Sequence, residues 1–277
     1  MTDIAFAPAK LPVIATFKKT CGAFLKALGP LALLMLLLIG VTAAGLVATA
    51  IPIGGLGFAL QRGLGLEPGS LPFGLAMAPL ILVLGGVVIA IALRFSIAQY
   101  KLADASADGR TLKFMDILRD PRPGLVDYFL LSLFVGILTF LGAILFIVPG
   151  IIIALALWLA PPAMIFEGKD VGESIQRSRD LTRDNRWRLL GLYVLSALAF
   201  LPASLLTSLP LESDPEFSPL MGIQMILNVV ISILQAIFMV VLTVTIYREL
   251  RALKDRPAEV VVPESSPEPA PEPSGAA

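Results

Sequence analysis

Apolar residues in this chain run in blocks too long for the interior of a water-soluble domain. A helix needs about 20 consecutive apolar residues to cross a hydrocarbon core of about 30 Å. Six segments meet that length: Pro30–Ile51, Leu75–Ile97, Leu125–Ile147, Pro149–Phe166, Leu189–Leu209 and Pro219–Tyr247. The third and fourth come from one continuous block that Val148-Pro149-Gly150 divides. The pattern predicts an all-α integral membrane fold, with six transmembrane helices arranged as three hairpins.

Amphipathic periodicity adds three shorter elements. In Ile14–Leu28 the residues Ile14, Phe17, Cys21, Phe24, Leu25 and Leu28 recur at helical spacing, with Lys19 and Lys26 opposite. Thr111–Arg119 carries a Leu112, Met115, Leu118 stripe. A third segment starts at Asp170, where Asp170-Val171-Gly172-Glu173 has the form of a capping box. Glu173 and Arg177 then stand i,i+4 in the favourable order. Each segment precedes one hairpin, so the reading is three parallel units, each a short interfacial amphipathic helix followed by a helical hairpin.

Charge gives the orientation. Of the 21 lysines and arginines, only Arg62 falls between spans one and two, three and four, or five and six. The others precede span one, follow span six, or lie between spans two and three (counting Arg94, at the end of span two) and between four and five. That bias predicts both termini on the cytoplasmic side. Tyr100, Tyr128, Tyr193, Tyr247 and Trp187 fall at the same ends, where amphipathic rings favour the headgroup zone. Trp158 is the exception, within span four. The lysines at the start lead into a long apolar span with no small-residue cleavage site, which predicts a retained signal anchor. The opposite side is left with a Gly-rich stretch (Ile53–Pro72), the Val148-Pro149-Gly150 turn and an acidic link over Leu211–Phe217.

Composition sharpens this picture. Of 277 residues, 57% are apolar and 15% charged, mean hydropathy is +0.87, and the formal net charge is zero. A single soluble globule carries about 25% charged residues, so that class is excluded. The balance of 21 basic against 21 acidic residues does not suggest a nucleic-acid partner. There is no histidine and one cysteine, Cys21. Histidine-based acid–base chemistry, haem ligation and an intrachain disulfide are thereby set aside, and no catalytic residue, metal ligand or cofactor is expected. Residues 1–254 read as the membrane domain. Residues 255–277, where proline alternates with glutamate, read as a disordered cytoplasmic tail with polyproline II character.

Two groups of residues could carry function. On span six, Gln224, Asn228, Ser232 and Gln235 stand within roughly 80° of one another at about 100° per residue. Amides in hydrocarbon need partners. They can bond across helices, with Ser196, Ser204 and Thr207 of span five as candidates, or line a wet path for a small molecule or lipid. The second group is the basic run Arg177, Arg179, Arg183, Arg186, Trp187 and Arg188, suited to anionic headgroups or a protein partner. No charged residue sits at the centre of a span, which disfavours proton coupling.

Several stretches carry a family resemblance: Leu145–Ile151, Ala160–Gly168, Gly172–Ser178, Leu181–Arg188 and the Tyr247–Arg251 exit from span six. Together they resemble the bacterial six-span family named for a glycerophosphoryl diester phosphodiesterase membrane domain, and the YciC-like inner-membrane proteins. Ser174-Ile175 and Arg179 depart from that family's usual residues. The resemblance implies a multi-pass protein of the bacterial inner membrane. It does not imply the phosphodiesterase activity, because the fused catalytic domain and its histidines are missing. The leading expectation is a non-enzymatic membrane protein acting through lipid contacts and its cytoplasmic face in membrane or envelope homeostasis. The alternatives are a transporter or channel using the polar stripe, and a membrane partner that regulates a separately encoded enzyme. A homo-oligomer is compatible with each.

Overall fold

The computed structural model describes residues 10–110, 112, 114–208 and 219–255. The acidic link over 211–217 and the tail from 256 lie outside the described residues. The described chain is helical, without strands. Its nine helices are α1 (Val13–Leu64), α2 (Leu71–Ala107), α3 (Phe114–Arg119), α4 (Leu125–Leu145), α5 (Ile147–Leu157), α6 (Ala160–Glu167), α7 (Val171–Thr182), α8 (Arg186–Ser208) and α9 (Pro219–Lys254). Six helical stretches are long and apolar enough to cross a membrane, and much of their apolar surface is exposed. Leu36, Val47, Leu75, Leu82 and Phe140 are all more than half exposed. Water would penalise that surface; a bilayer accepts it.

Two expectations need correction. The amphipathic segment Ile14–Leu28 is not a separate interfacial helix. It runs unbroken into span one as part of α1, whose 52 residues reach about 78 Å at about 1.5 Å each. Pro30 lies inside that helix without ending it. The apolar face of the segment packs on α9, where Phe17 and Phe24 meet the Phe238 ring at centroid distances of 5.8 and 5.6 Å. That contact rewards continuing the helix. The expected Gly-rich loop from Ile53 is helical as far as Leu64, and Gly65 ends it at φ 64°, a left-handed cap that glycine adopts without strain. In span four the adjacent prolines Pro161 and Pro162 predict a kink or break, and the helix is broken there: α5 stops at Leu157 and α6 starts at Ala160. Pro161 and Pro162 occupy the first turn of α6, where missing N–H groups cost least.

The core is concentrated at the basic end of the bundle. One cluster joins Leu11, Leu155, Leu159, Leu181, Leu189, Leu242 and Leu250; a second joins Ala27, Leu31, Phe95, Leu102, Ile237 and Val241. Phe238 ties three helices together, because Phe200 of α8 also meets it, at 5.5 Å and 63°. A third cluster sets Tyr128 and Leu131 of α4 against Ile97, Ala160 and Met164. Helices α4 and α5 then close on each other through Gly142 and Gly150. A Cβ on Gly150 would lie 2.8 Å from the Cα of Ala143, so only glycine permits this approach.

Candidate functional site

Helix α9 leaves the bundle as Tyr247-Arg248-Glu249-Leu250-Arg251, and this turn gathers the ends of four other helices. Tyr247 is buried, and its hydroxyl donates to Glu167 Oε1 at 2.5 Å. Arg177 of α7 donates from Nε to the same oxygen at 3.0 Å. One terminal nitrogen of Arg177 then donates to both carboxylate oxygens of Asp255, at 2.8 Å each. Arg251 reaches the same two acids, at 3.9 Å to Glu167 and 3.4 Å to Asp255. Arg248 binds Asp108 at the end of α2. Glu249 accepts from Thr16 at 2.8 Å and Lys19 at 2.7 Å on α1. Lys254 donates to the Asp180 carbonyl and pairs with Asp184 at 3.1 Å.

Each of these groups is placed by local sequence. Asp170 caps α7, accepting from the Glu173 N–H at 2.9 Å as the capping-box spacing predicts. The expected Glu173–Arg177 pair does not form, because Glu167 and Asp255 take the guanidinium instead. Glu167 ends α6, with Gly168 in the left-handed region at φ 65° reversing the chain toward α7. Beside the network is a cavity of about 670 Å³, lined by Asp104, Asp108, Arg110, Arg248, Arg251 and Asp255 among others. Its acids and bases are already paired with one another, so it presents no uncompensated charge to a ligand. Among the described residues, no group of three or more Cys, Asp or Glu side chains could hold a metal ion.

The ion pairs fix a pH dependence. Hydrogen bonds from Arg248 hold the Asp108 carboxyl below the usual carboxylate range, and those from Arg177 do the same to Asp255. Asp120 is lowered by Lys101, whose Nζ lies 2.6 Å away. Each acid titrates lower in the folded protein than in the unfolded chain. Its contribution is therefore present above the ordinary carboxylate range and is lost as pH falls through the folded value. The unfolding midpoint of solubilised protein should fall as pH drops from about 5 to about 3. Asp255→Asn should flatten that decline. A midpoint that does not change over the interval would refute the assignment.

The structure divides the basic run that the sequence presents as one group. Arg177 is consumed by Glu167 and Asp255. Arg188 donates to the Leu11 carbonyl at 2.6 Å, while Asn185 Oδ1 accepts from the Leu11 N–H at 2.9 Å. Both side chains thus serve to hold a fully buried residue at the start of the described chain. Arg179 and Arg183 are exposed, with no ion pair among the described residues. Trp187 is 76% exposed, and Arg186 lies beside it against α5.

The polar stripe divides. Gln224 donates to the Thr207 carbonyl of α8 at 2.7 Å, a bond across helices. Asn228, Ser232 and Gln235 are exposed on the outside of the bundle, with Ser232 3.4 Å from Asn228. Ser204 and Thr207 of α8 bond their own helix, at the Phe200 and Ser204 carbonyls, and Ser196 bonds the Tyr193 carbonyl while also lying 3.7 Å from the Met239 sulfur of α9. Sequence reasoning missed Ser178, Glu167, Tyr247 and Asn185 as organising residues. The available signal was their polarity among apolar neighbours, in the same stretches that carry the family resemblance.

A family model described as Domain of unknown function (DUF7847) matches residues 11–250, and the chain belongs to that family. No curated protein and no solved structure matches the chain.

Proposed function

We propose that this DUF7847 member is a non-enzymatic multi-pass membrane protein that acts through anionic lipid contacts on its basic face, in membrane or envelope homeostasis. The observation that carries the reading is the unequal use of the basic run. Internal acids take Arg177, Arg248 and Lys254, whereas Arg179, Arg183 and Arg186 are left without ion pairs among the described residues, and the last of them adjoins the exposed Trp187. Unpaired arginines next to an interfacial tryptophan suit anionic headgroups. The finer reading places the protein in a bacterial inner membrane, with three hairpins and both termini cytoplasmic. The one-sided distribution of lysine and arginine supports it. The likeness to the glycerophosphoryl diester phosphodiesterase membrane domain supports the same placement.

Hydrogen exchange tests the proposal. In phosphatidylcholine vesicles, adding phosphatidylglycerol should slow exchange over residues 183–190. Equal exchange in both membranes would overturn the lipid reading. A second reading, a partner helix within the membrane, is favoured by the outward-facing Asn228, Ser232 and Gln235. Amides facing hydrocarbon are costly until another helix pairs with them. A transporter reading would need such a second helix to enclose the stripe.

A further inference from the structure

Because α5 ends at Leu157 and α6 turns away, α5 lies against the first turns of α8. Val148, Ile151, Ile152 and Leu155 recur on one face of α5 and look across at Arg186, Trp187 and Leu190. Between them is a groove of about 250 Å³. Its walls are apolar apart from the Arg186 guanidinium and the tryptophan ring. Arg186 Nε is enclosed there with no hydrogen-bond partner among the described residues, and no ion pair among them engages the side chain. No acid lines the groove, and Asp184, two residues before Arg186, is committed to Lys254.

The covered Nε is closed to a ligand, so what Arg186 offers the groove is the partly exposed remainder of a guanidinium whose charge no ion pair among the described residues balances, and such a cation favours a charge-assisted bond to an anion. The groove therefore fits an occupant with an anion at one end and an apolar stretch along the rest. Free phosphate meets only the first condition, and a neutral hydrocarbon only the second. We propose that the α5–α8 groove holds one anionic phospholipid, with its phosphate on Arg186, an acyl chain along Val148–Leu155, and Trp187 at the glycerol level. This narrows the lipid reading above to a single site and rests on it.

Trp158 and Trp187 are the only two tryptophans, so Trp158→Phe leaves Trp187 as the sole reporter. The protein would be reconstituted in phosphatidylcholine bilayers carrying either phosphatidylglycerol or phosphatidylcholine with brominated acyl chains. Brominated phosphatidylglycerol should quench Trp187 with an apparent preference of about fivefold, the effect of one arginine near an anionic headgroup. Arg186→Gln should equalise the two lipids, Arg186→Lys should keep part of the preference, and Arg183→Gln should leave it intact. Equal quenching with Arg186 present, absence of quenching by either lipid, or a preference that survives Arg186→Gln would each overturn the groove. Anion-dependent slowing of exchange over 183–190 would persist in that case if only the specific site were wrong. Should Trp158→Phe fail to fold, native mass spectrometry of the full chain gives the second measurement. Arg186→Gln should lose a phosphatidylglycerol that the unmodified protein retains, and equal retention would overturn the proposal.

Discussion

Glu167→Ala should lower the thermal unfolding midpoint of the solubilised protein by several degrees, for a loss of about 2–4 kcal/mol. The Glu167 side chain is 10% exposed, and one of its oxygens accepts from both Tyr247 and Arg177. Removing the carboxylate strands a buried phenol and leaves the Arg177 Nε without its acceptor, while Asp255 still holds the terminal nitrogen, and an unpaired buried group is more costly than the pair was worth. Glu167→Gln separates charge from hydrogen bonding. Its amide oxygen still accepts from one neighbour, so its effect should fall between those of the wild type and Glu167→Ala. Tyr247→Phe removes one hydrogen bond and should cost about 1 kcal/mol. Combined with Glu167→Ala it should add little, because the two changes share a contact. If Glu167→Ala leaves the midpoint within experimental error of wild type, α6 and α9 are not held together by this carboxylate.

The second large effect lies at the break in span four. Ser178 is fully buried, and its hydroxyl donates to the Ala156 carbonyl at 2.7 Å while accepting from the Leu159 N–H at 3.1 Å. A single side chain therefore satisfies both backbone groups freed where α5 stops. Irregular backbone survives at membrane depth only when buried in protein and hydrogen-bonded. Here Leu157, Leu159 and Ala160 are all fully buried. Ser178→Ala leaves two backbone groups without partners and should cost about 1–3 kcal/mol. Faster hydrogen exchange over residues 156–160 should accompany the loss. Ser178→Cys, a weaker donor of similar shape, should recover part of it. Unchanged exchange at the break in Ser178→Ala would show that the two groups find other partners.

The missed positions share a physical reason. Asn185 and Leu11 are 174 residues apart, and Glu167 and Tyr247 are 80 apart. No local periodicity connects such pairs. The Asp170 cap was legible because both its atoms belong to one turn. The polar stripe was legible as a stripe, since four residues on one helix share a face whatever surrounds them. Thr207 was a candidate partner and Gln224 bonds its carbonyl, but that Asn228, Ser232 and Gln235 are exposed depended on how α8 and α9 pack. The arginine run was likewise visible as a cluster, but its division among Glu167, Asp255, the Leu11 carbonyl and open surface depended on helices distant in sequence.

What the sequence determined by itself is everything set by composition and short-range order: helical class, six apolar segments, the one-sided placement of basic charge, the α7 cap, and the lack of histidine. Tertiary structure alone decided that the amphipathic start of the chain continues span one, that Ser178 satisfies the backbone at the break in span four, and that Arg186 faces a groove while Arg177 does not. Hydropathy and capping act over a few residues and are written locally. Packing joins helix ends far apart in sequence, and a cation has a partner or lacks one only after those ends have met.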